Sequence, residues 1–224
     1  MITPYGKRIV QVAVTFSLLI MIIGILINGG WLLSLVLFIL ALSIAGFVAN
    51  FFRDPDRNPP DDESAILSPA DGRIVLIKEI FEKEYLNENA IQVSIFMSPL
   101  NVHVNRIPIS GTIGYYRYVK GEYIVAFDEK SSERNERTLI GIEDNGFRLL
   151  FKQIAGTVAR RIIAELEPGK RVERGKRFGM IRFGSRVDVL MPSTVKLNVA
   201  LNDRVLAGES VIARRTNFNK GAKL

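Results

Sequence analysis

Gly24-Ile25-Leu26-Ile27-Asn28-Gly29-Gly30-Trp31-Leu32-Leu33 divides two apolar runs and decides how the chain begins. Upstream, Ile9 to Ile27 is apolar except for Gln11, Thr15 and Ser17. Downstream, Trp31 to Phe52 is apolar except for small residues and Asn50. Each run is about 20 residues, the length that spans a hydrocarbon layer as a helix, and neither holds a charge. The Asn28-Gly29-Gly30 break allows only a tight turn, and Trp31 beside it suits an interfacial aromatic belt. Lys7 and Arg8 ahead of the first run would also suit a cleaved signal peptide. The second apolar run, starting three residues later, favours a membrane helical hairpin over residues 1–52.

Outward from the hairpin, Lys7 and Arg8 flank one end, Arg53 and Arg57 the other, and the turn is uncharged. The positive-inside rule then places both ends, and the domain that follows, on the cytoplasmic side of the cell membrane. Arg53-Asp54-Pro55-Asp56-Arg57-Asn58-Pro59-Pro60 opens a linker, 53–64, whose three prolines stop the helix and favour an extended strap. Residues 65–224 read as a β-rich catalytic domain. Arg73–Ile77, Ile91–Met97, Thr112–Val119, Arg137–Ile142 and Phe147–Phe151 are strand-like. Asp144-Asn145-Gly146 is a hairpin turn. Val195 to Val199 alternates strictly, as a half-buried strand does. Many short strands between glycine-bearing turns predict a barrel or sandwich, of biotinyl/lipoyl-like shape. Ile154 to Leu166 suits either helix or strand, and Asn87–Asn89 and Asp128–Glu136 read as mobile polar loops.

Composition narrows the chemistry. There is no cysteine, so disulfides, thiolate nucleophiles and Cys-based zinc sites are excluded. His103 is the sole histidine, which argues against a metal centre. The net charge is +7, and removing Lys7 and Arg8 leaves +5 on the rest. With a membrane hairpin attached, an anionic lipid surface is the expected partner. Nothing resembles a nucleic-acid recognition module. Lys170, Arg171, Arg174, Lys176, Arg177, Arg182 and Arg186 form a basic segment with one acid, Glu173. It reads either as a solvated face or as a patch that draws in anionic lipid.

Phosphate loops and nucleophile elbows are missing. His103 lies in Met97-Ser98-Pro99-Leu100-Asn101-Val102-His103-Val104-Asn105-Arg106-Ile107-Pro108. Strand alternation there would put it on a polar face with Asn101 and Asn105. Asp71 lies in the turn Ser68-Pro69-Ala70-Asp71-Gly72. Ser185 lies in Arg182-Phe183-Gly184-Ser185-Arg186. With Phe51-Phe52-Arg53-Asp54-Pro55 and Glu133-Arg134-Asn135-Glu136-Arg137, these stretches resemble, in order, phosphatidylserine decarboxylase in its shorter, archaeal-type branch. The likeness runs from about Phe51 to about Met191.

The resemblance implies a self-processing zymogen. Ser185 would attack the Gly184 carbonyl, the peptide bond would become an ester, and elimination and hydrolysis would leave a pyruvoyl group in place of Ser185. The products would be chains 1–184 and 185–224, held together as a heterodimer. Gly184 offers no side chain to obstruct attack. A serine hydroxyl is a weak nucleophile and needs a base; the resemblance offers His103, with Asp71 orienting it. The pyruvoyl ketone would form a Schiff base with the serine amine of the lipid and act as the electron sink for decarboxylation, so no external cofactor or metal is implied. One departure stands out. Longer bacterial members carry a second histidine three residues after the first, where this chain has Arg106, so His103 serves both stages or another group takes one of them. Archaetidylserine would suit the same headgroup chemistry. A non-catalytic membrane-tethered β-domain and a serine hydrolase are the readings from other classes.

Overall fold

The computed structural model describes residues 1–27, 29–121, 134–156, 161–182 and 185–216. The chain forms two compact units, Met1–Asp56 and Arg57–Leu224. In the first, helices α1 (Lys7–Leu26) and α2 (Gly30–Phe51) pack against each other. Gly24 lets them approach: the Ser34 hydroxyl donates to its carbonyl at 2.6 Å. The open end is closed by Thr3 N–H to Phe52 carbonyl (2.9 Å) and Asp54 N–H to Met1 carbonyl (2.7 Å). Most other side chains on both helices are apolar and exposed, including Phe16, Ile25, Leu26 and Trp31. Pro4–Leu26 and Gly30–Phe51 are long and apolar enough to cross a membrane, and such a surface fits membrane association. Asn28 of the expected turn lies outside the described residues.

The second unit is mainly β. Its strands, among the described residues, are β1 (Ala65–Leu67), β2 (Gly72–Glu82), β3 (Glu88–Met97), β4 (Val104–Arg106), β5 (Gly111–Val119), β6 (Arg137–Asp144) and β7 (Phe147–Ala155). There follow β8 (Ile162–Ala164), β9 (Arg171–Val172), β10 (Arg177–Ile181), β11 (Ser185–Pro192), β12 (Lys196–Leu197), β13 (Arg204–Val205) and β14 (Val211–Arg214). One eight-stranded sheet runs β13-β2-β3-β11-β7-β6-β5-β9, and two three-stranded sheets run β1-β14-β12 and β4-β10-β8. Alternation along β3 and β11 sends Val93, Ile95, Met97, Val187 and Val189 to one face. There they join Ile66 and Ile212 from one small sheet and Phe178 and Ile181 from the other in a single core. Leu86, Ala90, Leu139, Leu150 and Leu190 form a second, smaller cluster.

Local chemistry sets the turns. Asp144 pairs with Phe147, so Asn145-Gly146 is a two-residue hairpin loop. Both residues have positive φ (50° and 80°), as a type I′ turn requires. The β2–β3 connection is capped by Glu82, whose carboxylate accepts from the N–H groups of Glu84, Tyr85 and Leu86 at 2.8–3.0 Å.

Four readings are settled or revised. Ile154 to Leu166 is not helical where described: it holds the end of β7 and all of β8, as Ile162 and Ile163 favour. The alternating run Val195–Val199 yields only the short β12, which pairs with β14 and not in the sheet of β11. Glu88 and Asn89 belong to β3; of the stretch Asp128–Glu136, residues 128–133 lie outside the described residues, and Asn135 is fully buried with its amide donating to the Ala155 carbonyl at 2.7 Å. His103 precedes β4, and Val102, Val104 and Asn105 are buried along with it, because both faces of this segment are covered.

Candidate active site

One end of the large sheet gathers the sequence motifs. Ser185, first residue of β11, sits between Met97 of β3 and Ala155 of β7. Val205 of β13 pairs with Gly72 of β2, and Arg73 pairs with Phe96, which brings Gly72 level with Met97. On the other side, Ala155 N–H donates to the Glu136 carbonyl at 2.9 Å. The ends of six strands, β13, β2, β3, β11, β7 and β6, thus share one row. The segments carrying Asp71, Ser98–His103 and Asn135–Glu136 all leave from it, and Ser185 stands in it. Phe183 and Gly184 lie outside the described residues.

Ser185 is fully buried and faces the main core side, as Met97 does. Its hydroxyl donates to Met97 Sδ at 3.2 Å. A thioether is a weak acceptor, so this contact fixes the rotamer at little cost to the reactivity of the oxygen. His103 is also fully buried, and its carbonyl accepts from Ile181 N–H at 3.4 Å, four residues before Ser185. Its Nδ1 lies 2.9 Å from the Asn101 carbonyl oxygen. A carbonyl only accepts, so Nδ1 carries the proton and Nε2 is the basic nitrogen of the neutral ring.

A buried amide chain lies behind the serine. The Thr138 hydroxyl donates to Gln153 Oε1 (2.8 Å), and Gln153 Nε2 donates to Asn105 Oδ1 (2.9 Å). The direction of these bonds turns Asn105 Nδ2 toward the Pro69 carbonyl (3.4 Å) and Met97 Sδ (3.9 Å). Ser185 Oγ and Asn105 Nδ2 therefore meet at the same sulfur. Asn105 appeared in sequence only as a neighbour of His103, and Gln153 carried no signal, because the bonds span 48 and 15 residues.

Asp71 is nearly buried in its turn. Arg57 Nη2 donates to both its oxygens, at 3.1 and 2.8 Å, and Ala207 N–H donates to Oδ1 at 2.8 Å. Arg57 had a sequence reading only as an orientation charge. Arg106 is buried and donates to the Gly175 carbonyl at 2.9 Å. Arg186 departs from the expected lipid-facing patch: it is 1% exposed, with Nε 2.6 Å from Asp188 Oδ1 and Nη2 2.8 Å from Ser94 Oγ. Arg174 binds the backbone carbonyls of Pro60 and Asp62. Arg182, three residues before Ser185, is half-buried; burial first, then the charge of Arg161, lowers its pKa. Among the described residues no cluster of His, Asp and Glu could hold a metal ion.

The model of the family described as phosphatidylserine decarboxylase matches residues 44–213. The chain belongs to the phosphatidylserine decarboxylase family. It is 45% identical to a phosphatidylserine decarboxylase proenzyme of Chlorobium limicola over 96% of this chain and all of that relative. Identity is 47% to the proenzyme of Salinibacter ruber, over 85% of this chain and 86% of the relative. It is 49% to that of Amoebophilus asiaticus, over 75% of each. A phosphatidylserine decarboxylase is a carboxy-lyase, so the chain is an enzyme. The relatives' name also denotes a precursor form.

Proposed function

We propose that this chain is a zymogen that cleaves itself between Gly184 and Ser185. The processed enzyme then decarboxylates phosphatidylserine to phosphatidylethanolamine at the cytoplasmic face of the cell membrane. The observation that carries the reading is Ser185, buried at the head of β11 in the sheet end where the His103 and Asp71 segments meet, in a chain of this family.

Self-cleavage needs only groups of the chain and water. His103 Nε2 accepts the Ser185 hydroxyl proton, and Oγ bonds to the Gly184 carbonyl carbon. The C–N bond breaks as the amine is protonated, leaving an ester. Loss of the Ser185 Cα proton then breaks the Cβ–O bond and releases Gly184 as the carboxylate end of 1–184. Water displaces ammonia from what remains of Ser185, leaving a keto group at the new N-terminus. Asp71 would support the imidazolium formed in the first step through its charge, while the Asn101 carbonyl holds Nδ1–H.

The surroundings fit such a group. It is uncharged and no larger than serine, and it would occupy a dry position beside a thioether and apolar core. Its ketone supplies an electrophile for a primary amine and withdraws electrons as carbon dioxide leaves. His103 would return a proton to the α-carbon of the headgroup. Arg182, whose charge is disfavoured by burial and then by the charge of Arg161, would suit an anionic headgroup.

Fragment 185–224 would stay bound. Its β11 is paired on both sides, with β3 from Ser185 to Pro192 and with β7 from Ser185 to Leu190. Its β13 pairs with β2 and its β14 with β1. Lys7, Arg8 and Arg53 support the cytoplasmic side. Vesicles of phosphatidylserine and of its ether-linked archaeal counterpart, given to the purified protein, test the substrate. Phosphatidylethanolamine and carbon dioxide should form with the parent and not with Ser185→Ala. Equal activity of the two proteins would overturn the reading, and turnover of the ether lipid alone would reassign the substrate.

A further inference from the structure

We propose that Arg57 is a positioning residue of the active site, holding the Asp71 carboxylate ionised and in a fixed plane. The inference rests on the self-cleavage reading above.

Arg57 is one residue past the helical unit, in a segment that reads as a strap. Yet its side chain is only 9% exposed, and that of Asp71 only 6%. The guanidinium spans two acids. Nη2 reaches both oxygens of Asp71, while Nη1 lies 3.0 Å from Glu209 Oε2. Glu209 is anchored from its other oxygen by Asn58 N–H at 3.0 Å. The Asn58 N–H and Arg57 hold the Glu209 carboxyl below its ordinary pKa, with Arg106 adding a weaker pull. Asp71 takes a further bond from Ala207 N–H. The groups around Asp71 include Arg57 from the strap, Ala207 and Glu209 from the turn before β14, and the Arg106 charge beyond Glu209.

Two features make this more than a surface ion pair. A planar, rigid fork fixes the orientation of the carboxylate it binds, which a lysine ammonium does not. A carboxylate this buried stays ionised only if cations and donors compensate it. The clamp also draws on both future fragments, Arg57 from 1–184 and Ala207 and Glu209 from 185–224. Asp71 is thus seated only when the strap, the Pro69 turn and the C-terminal segment have all docked. Processing would wait for a completed fold.

The test follows self-cleavage of the full-length chain in detergent, by denaturing gel, between pH 5.5 and 9. Arg57→Ala should slow cleavage at least tenfold at pH 7 and move the acid limb of the profile to higher pH, since the cation that compensates the buried carboxylate is lost. Arg57→Lys should recover part of the rate. In an Asp71→Asn background, Arg57→Ala should cost nothing further, because its effect runs through Asp71. Melting of the same variants on Ser185→Ala, which cannot cleave, checks that they fold. A parental rate for Arg57→Ala would overturn the inference. So would a loss additive with Asp71→Asn, or a loss with an unmoved acid limb. A parent that never cleaves would instead overturn the self-cleavage reading itself.

Discussion

Replacing Arg186 by methionine should unfold the domain more than it disturbs lipid binding. Arg186 and Asp188 are two residues apart on β11 and so share the face away from the main core. Both side chains are 1% exposed and lie 2.6 Å apart. Asp188 would keep Gln92 Nε2, at 3.1 Å, as a donor but lose the guanidinium beside it. Breaking a buried pair from one side costs roughly 3–5 kcal/mol, because an uncompensated charge stays buried. For a domain of this size each kcal/mol moves the melting point by about 2–4 °C, so Arg186→Met should lower it by roughly 6–20 °C. Differential scanning fluorimetry on the Ser185→Ala background, where no cleavage confuses the transition, gives the number. The double variant Arg186→Met, Asp188→Leu removes both charges and should recover much of the loss. A single variant melting within about 2 °C of its parent, with binding to anionic vesicles weakened, would refute this. It would return Arg186 to the basic surface its sequence neighbourhood suggests.

Gln153→Leu leaves the Thr138 hydroxyl and Asn105 Oδ1 without their amide partner and frees Asn105 to turn away from Met97. Slower self-cleavage is expected, with unchanged turnover in the fraction already processed, since Ser185 Oγ is gone by then; gel time courses and lipid assays separate the two. Burial pushes the Glu82 carboxyl up, but the N–H groups of Tyr85, Glu84 and Leu86 outweigh it and leave its pKa lowered. Its contribution is therefore present above the ordinary value of 4.5 and lost as pH falls through the lowered one. Glu82→Gln should destabilise by roughly 1 kcal/mol at pH 7 and by nothing in strong acid; a pH-independent difference in melting would contradict the capping role.

Local signals were legible because they are short-range. Charge-free runs of helical length mark α1 and α2, and Asn145-Gly146 marks its own turn. Ile91 to Met97 and Arg73 to Ile77 show their β-branched character directly. What the sequence hides is pairing at a distance. Ser185 and Met97 are 88 residues apart, and no local pattern says that one sits against the other. The same holds for Arg57, whose place in an extended, proline-rich segment suggests solvent until Asp71 and Glu209 close around it. Arg186 misleads for the opposite reason: it stands among exposed cations in sequence, while strand alternation turns it inward to Asp188. Val195–Val199 shows the right period, but period alone does not say which sheet receives it. Ser185, His103 and Asp71 entered through a resemblance of ordered motifs, and the fold gives that order a physical meaning by bringing those segments to one end of one sheet.

Self-cleavage is tested most directly by the intact mass of the purified full-length protein under denaturing conditions. Two fragments are predicted, 1–184 and 185–224, the smaller lacking a free amino terminus and reacting with a carbonyl reagent. Before denaturation they should elute together, held by β11, β13 and β14. A single chain of unaltered mass, indistinguishable from Ser185→Ala in its resistance to the carbonyl reagent, would contradict the account.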